Sequence, residues 1–326
     1  MRFLWKLWAV AALLSIPVAA FAATCTSQAE LPPQALDPLA SVATQLSAAI
    51  QQQDYPTLQA ALAPAEANAW AGIQAAAGQA APLLTGGKIQ LRNVYLLDAS
   101  MQDSPADTEF FCSNKSGSLT VTITMHDLPP NKYAVVLAEA TGAPLDGQLG
   151  LVLAWDGNSS SWRLAGLSAH QGAFDGHEGV WYWQRARVLS KDDPWSAWFC
   201  YDAARYLLLP VDFLSSPNLE KLNAEQEQIT PSPERALPLS IPAGDRTWKI
   251  DAVDLDPSLH EPDLAVAYES TGVTDPAALR TEATAVLSAF LKARPGIREN
   301  FHGLWAYAVK DGKRTPVMEL PMKQIP

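Results

Sequence analysis

The chain has 326 residues, with 34 acidic against 23 basic side chains and a net charge of −11. At 48% hydrophobic and 17% charged residues it has the composition of a folded protein, not of a disordered tail. The acidic balance repels phosphate backbones and anionic lipid, so no nucleic-acid partner is expected, and roughly 300 residues exceed one ordinary core.

The first 22 residues read as a secretory signal peptide: Arg2 and Lys6, an apolar run from Leu7 to Val18, then Ala20-Phe21-Ala22 as a small-x-small cleavage site. Its removal leaves 21 basic against 34 acidic residues, a net charge of −13. No later segment is apolar for long enough to span a membrane, so an exported chain, periplasmic or secreted, without a membrane span is expected. Cys25 follows the cleavage site closely, but Thr24 stands where lipoprotein processing wants a small residue.

Export gives the three cysteines a context, because an oxidising compartment permits one disulfide with one thiol left over. Three pairings are possible. The favoured one joins Cys25, in a tail with no other anchor, to Cys112, which ends the strand-like run Thr108–Cys112. Cys200 falls within an aromatic helix, where a thiol packs as a small apolar group.

Residues 36–170 form the first expected domain. Asp37-Pro38 has the form of a helix start, followed by Leu39, Val42, Leu46 and Ile50 on one face. Asp54-Tyr55-Pro56 breaks the run before a short helix with Leu58 and Leu62, and the alanine-rich stretch from Ala65 to Ala81 predicts a third, ended by Thr85-Gly86-Gly87. From Lys88 the period changes to two: Leu119, Val121, Ile123 and Met125 alternate with threonines, Tyr133 to Glu139 reads as a strand, and Asp156-Gly157-Asn158 turns between two more. Helices followed by an antiparallel meander predict an α+β fold with N-terminal helices on a curved antiparallel sheet. The helix pair within SAAIQQQDYPTLQAAL and the strands from Ser118 to Leu167 resemble the NTF2-like group. That resemblance implies a cone-shaped domain with a pocket. Its acid–base residues have no matching motif here.

Residues 179–214 predict a helical hairpin with an aromatic seam that includes Trp181, Trp183, Trp198 and Tyr201. Asp193-Pro194 starts its second arm and Pro210 stops it. Trp181, Ala197, Tyr201 and Ala204 resemble a single tetratricopeptide unit, without a second copy at that period. The hairpin is expected to pack on the first domain. Residues 215–246 read as a proline-punctuated linker holding one short helix from Pro217 to Gln228. Residues 247–326 give strand, strand, helix, strand, strand, with Asp275-Pro276 opening the helix and Asp311-Gly312 turning the last hairpin: a small two-layer α+β domain.

Among candidate sites, His170, Asp175, His177 and Glu178 put two imidazoles and two carboxylates within nine residues, donor types that suit a zinc-like ion. Glycines 172, 176 and 179 equally suit a flexible crossing from sheet to hairpin. Asp251, Asp254, Asp256, Glu261 and Asp263 lack the calcium-loop register and read as a solvated acidic edge. His126, His260 and His302 stand alone, and His170 blocks the last glycine of a nucleophile elbow at Gly166–His170. Metalloprotease, dinucleotide, phosphate-loop and thioredoxin motifs are missing, so no catalytic residue and no cofactor is expected. The expected function is an exported, non-catalytic binding or assembly module, its partner a small ligand or a protein. The alternatives are a metal-assisted hydrolase using the His170–Glu178 cluster and a helical protein-docking surface around Trp181–Tyr206.

Overall fold

A computed structural model describes residues 23–243 and 246–326; the expected signal peptide, residues 1–22, lies outside the described residues. Strand β1 (Thr24–Ser27) leads into helices α1 (Pro33–Gln51), α2 (Tyr55–Ala60) and, after a six-residue 3₁₀ helix (Pro64–Ala69), α3 (Trp70–Leu84). Strands β2 (Lys88–Asp98), β3 (Ala106–Ser113), β4 (Leu119–Leu128), β5 (Lys132–Thr141), β6 (Gly147–Asp156) and β7 (Ser161–Gln171) follow. A two-residue ribbon, β8 (Ala173–Phe174) and β9 (His177–Glu178), precedes the helical arms α4 (Gly179–Leu189) and α5 (Pro194–Leu208). Then come β10 (Leu214–Ser215), α6 (Pro217–Glu227), α7 (Pro233–Ala236), β11 (Leu239–Ala243), β12 (Arg246–Asp256) and β13 (Asp263–Glu269). The chain finishes with α8 (Pro276–Ala293), α9 (Ile297–Asn300), β14 (Gly303–Lys310) and β15 (Lys313–Pro321). The fold is mixed α+β without a closed barrel, and no described helix is long and apolar enough to cross a membrane.

The first half is built around one antiparallel sheet in the order β1-β2-β5-β6-β7. The two-residue period of β5 explains its two covered faces. Ala134, Val136 and Ala138 point into a core shared with α1 and α3, through Leu39, Leu46, Ile50, Ala77 and Leu84. Tyr133, Val135 and Leu137 point to the opposite face, which the small sheet β10-β4-β3 covers with Phe110, Ile123 and Leu214. The expected meander is therefore split, because the β3–β4 hairpin leaves the main sheet to form a layer of its own. Cys25 on β1 and Cys112 on β3 are bonded across the two layers. The N-terminal stretch is not untethered: Thr24–Ser27 pairs with Tyr95–Asp98 as an edge strand. The disulfide also leaves Cys25 no thiol for a lipid.

Asp54 caps α2 as its sequence implies, accepting from the Thr57 amide at 3.2 Å. Helix α1 differs. It begins at Pro33, so Pro38 sits inside it. The amide that Pro38 lacks would have served the carbonyl of Gln34, an exposed residue, where an unpaired carbonyl stays open to solvent.

The second half has one continuous core. The arms α4 and α5 bury Tyr182, Trp195, Phe199 and Tyr201 together with Trp248, Tyr268, Phe290 and Leu304 of the C-terminal elements. The hairpin's main packing partner is thus the C-terminal sheet and α8, not the first domain. The Pro-rich linker is also part of this core: Leu222 of α6 is buried in it, and the buried Gln226 donates to the Trp198 carbonyl at 3.2 Å and to Asp202 at 2.8 Å. Its polar composition hid that role, since a buried amide with satisfied hydrogen bonds leaves no apolar signature. The C-terminal sheet runs β11-β12-β13-β14-β15, with β13 and β14 parallel across the α8 crossover and the other pairs antiparallel.

Candidate functional site

The stretch between the sheet and the helices is not a loose crossing. Asp175 and Gly176 have φ of 47° and 74°, the two positive values of a type I′ turn, and they fold Phe174 against His177 in a tight hairpin. As directly opposed partners the two side chains share a face of the ribbon, yet they meet different surroundings. Phe174 is fully buried, stacked on Tyr206 at 5.5 Å and edge-on to Tyr182 at 5.9 Å. His177 stays outside and stacks on the Trp181 ring at 3.9 Å, 10° from parallel.

The four residues of the sequence-derived metal cluster are not brought together. His170, on β7, packs edge-on to Tyr206 at 5.6 Å with its Nε2 buried and unpartnered, and burial lowers its pKa despite Asp212 nearby. Asp175 and His177 line one cleft, while Glu178 lines another beside Gly179. In the aromatic seam, Trp183 and Tyr201 meet at Glu225, which accepts from the Trp183 indole at 2.8 Å and the Tyr201 hydroxyl at 3.4 Å. Trp198 is half-buried at the edge of the same core, and Trp181 points away from it, 40% exposed.

The cleft beside His177 encloses about 780 Å³ between the β8–β9 ribbon, α4, α9 and the end of β15. Trp181 and His177 form one wall, and Arg185 enters from α4, its Nε donating to Asn300 at 2.8 Å. Arg298 is occupied with the carbonyls of Met322 and Ile325, which ties the chain's last turn to α9. Lys323, His302 and the acid Glu299 add to the polar lining.

Behind His302 lies a group that sequence reading missed. His302 Nδ1 is 2.9 Å from Asp263 Oδ1, and Asp263 is wholly buried, contrary to the expected solvated acidic edge. Glu319 joins them, and the three residues offer ligand-type atoms within 4.8 Å of one another. Asp263 Oδ2 and Glu319 Oε1 are both buried without a hydrogen-bond partner. Burial raises the pKa of both carboxyls, and each is pushed further by a neighbouring acid, Asp256 beside Asp263 and Asp263 beside Glu319. For His302 burial acts downward, but the hydrogen bond and charge of Asp263 prevail and its pKa is raised. Gly303 makes the approach possible, because a Cβ there would stand 2.5 Å from Glu319 Oε1 and 2.9 Å from Asp263 Oδ1. The register explains the gathering. Leu264 pairs with Leu304 and Trp305 with Glu319, so Asp263, Gly303 and Glu319 fall at one end of three adjacent strands.

The chain matches no known protein-family model, no curated protein and no solved structure. The likeness to the NTF2-like group accordingly rests on the element order of the first half alone.

Proposed function

We propose that this protein is an exported binding module whose small ligand sits in the cleft between the β8–β9 ribbon and the end of β15. The observation that carries this reading is the exposed Trp181, held flat by His177 along one wall of a 780 Å³ recess. Leaving a tryptophan in water costs free energy that a stacked planar ligand recovers, and the volume suits a small molecule. Arg185, Lys323 and His302 supply donors around that wall, which favours a planar ligand bearing carboxylate or carbonyl oxygens. Export is supported by the basic, apolar, small-residue order of residues 1–22 and by a disulfide, which needs an oxidising compartment to persist.

The reading is tested by tryptophan-fluorescence titration against aromatic carboxylic acids, purine nucleosides and sugar acids. Saturable binding of an aromatic class, lost in Trp181→Ala and kept in His170→Ala, is expected. Binding that Trp181→Ala leaves unchanged, or none across the panel, overturns it. Export is tested separately, by the mass and compartment of the protein recovered from its host: a full-length intracellular chain would exclude it.

A further inference from the structure

We infer that Asp263, His302 and Glu319 bind one first-row divalent transition-metal ion, of the Zn²⁺ or Mn²⁺ kind, at the wall of the cleft. The inference goes beyond the ligand-binding reading and stands without it. Three observations carry it.

The first is spacing. Two donors on one ion with bonds of ~2.1 Å lie ~3.0 Å apart at a right angle and ~3.4 Å apart at a tetrahedral angle. The 2.9 Å between His302 Nδ1 and Asp263 Oδ1 is the separation of neighbouring ligands, and Glu319 closes the set within 4.8 Å.

The second is unsatisfied charge. A buried carboxylate oxygen without a partner is costly, and here the two carboxylates that gather with His302 each carry one. Among the described residues, no lysine or arginine forms an ion pair with Asp263 or Glu319. A divalent cation would satisfy both orphan oxygens and neutralise the pair, which a single hydrogen bond from His302 cannot do.

The third is the cradle. Gly303 leaves free the space a methyl group would fill, directly between the two carboxylates. Donor chemistry selects the ion. One imidazole with two carboxylates suits zinc or manganese, whereas calcium wants six to eight oxygens and magnesium keeps most of its water. Because His302 lines the cleft, the positions that three protein ligands leave over would face it.

The test is isothermal titration of chelator-treated, dialysed protein with Zn²⁺ alone and Mn²⁺ alone, with stoichiometry confirmed by native mass spectrometry. One ion per chain is expected, with affinity reduced about tenfold or more in Glu319→Gln and in His302→Gln. Asp263→Asn is fully buried and is read only after circular dichroism shows it folded; the other two variants carry the test if it does not. Trp181→Ala and the double variant His170→Ala/His177→Ala keep the ion. Absence of stoichiometric binding overturns the inference, as does wild-type affinity in Glu319→Gln and His302→Gln, or loss of the ion in the His170/His177 double variant. Failure of the organic ligand panel leaves these outcomes unaffected.

Discussion

Gln171 and His260, 89 positions apart, hydrogen bond to each other twice. The Gln171 Nε2 donates to the carbonyls of Ala173 and His260, each at 3.0 Å, which turns its amide oxygen toward His260 Nδ1, also at 3.0 Å. An amide oxygen only accepts, so the His260 ring must carry its proton on Nδ1. Gln171 is 1% exposed and ends β7, so this one side chain fastens the first sheet to the β12–β13 loop. Replacement by leucine, similar in size, strands two carbonyls and a ring N–H. Gln171→Leu is expected to lose about 1–3 kcal/mol in urea unfolding. A loss below the error of the fit would show that the two halves are held by other contacts.

The Cys25–Cys112 bridge closes a span of 87 residues between an edge strand and the second layer of the first half. Loop-closure entropy assigns about 4–5 kcal/mol to a cross-link of that length, through restriction of the unfolded chain. The double variant Cys25→Ser/Cys112→Ala should therefore melt well below the oxidised protein. It should also expose β1 first, as early hydrogen exchange over Thr24–Ser27. An unchanged melting temperature would mean that β1 pairing alone secures the N-terminus.

Glu225 of α6 gathers the α4–α5 hairpin. Arg187 donates to its two oxygens at 2.7 and 2.8 Å, the guanidinium lies 4.5 Å over the Trp183 ring, and the Trp183 indole shares one oxygen. These donors, led by the Arg187 hydrogen bonds, hold the Glu225 carboxyl down at about 2 against an ordinary 4.5. Its stabilisation is therefore complete above pH 4.5 and drains away as pH falls toward 2. Glu225→Gln keeps the shape and loses the charge. It should cost about 1–2 kcal/mol at pH 7, since Arg187 is partly solvated, and progressively less as pH falls toward 2.

Asp202 works in the opposite direction. Burial lifts its carboxyl to about 6 from 3.8, against hydrogen bonds from Gln226 and Arg205 that act downward. The folded state thus holds the proton more tightly than the unfolded one. The stabilising contribution is full below pH 3.8 and is lost as pH rises through 6. Chemical denaturation at pH 5 and at pH 7.5 reads this directly: the wild type should gain stability on acidification across that window relative to Asp202→Asn, which cannot titrate. Parallel profiles for the two proteins would refute the assignment.

Local signals were legible in the sequence where a short stretch decides its own conformation. Asp193 and Asp275 accept from the amides of Ser196 and Ala278 at the helix starts their Asp-Pro pairs announce. Asp37-Pro38 failed, because Pro33 offered an earlier first-turn position and the carbonyl of the exposed Gln34 tolerated a proline above it. Asp311-Gly312 was read as a hairpin, whereas Asp175-Gly176, with the same dipeptide and the same positive φ, was read as linker. Two-residue strands offer no alternation to flank the turn. The Asp263–His302–Glu319 group left no local trace at all. Its members come from β13, the bend just before β14, and β15, and their meeting depends on the parallel register of β13 with β14, which no neighbouring residue encodes.

Cys200 is the remaining thiol, and its surroundings decide its reactivity. It is completely buried on α5, in a core with Trp195, Phe199 and Tyr201. Burial drives its pKa up to about 12; the Arg185 charge acts downward and the Asp193 charge upward, and neither reverses that. Both the thiolate fraction and the access that alkylation requires are thereby suppressed, so the side chain behaves as a small apolar group. The oxidised native protein should take up no iodoacetamide at pH 8 over hours, and one equivalent after denaturation without reductant. Cys200→Ala removes a sulfur that the neighbouring aromatic rings cannot fully replace, and should cost about 1–2 kcal/mol as a small cavity. Cys200→Ser, close in volume, should cost more, because its hydroxyl would be buried in an apolar core. Rapid labelling of the native protein would show instead that the α4–α5 hairpin opens locally, far below the global unfolding free energy.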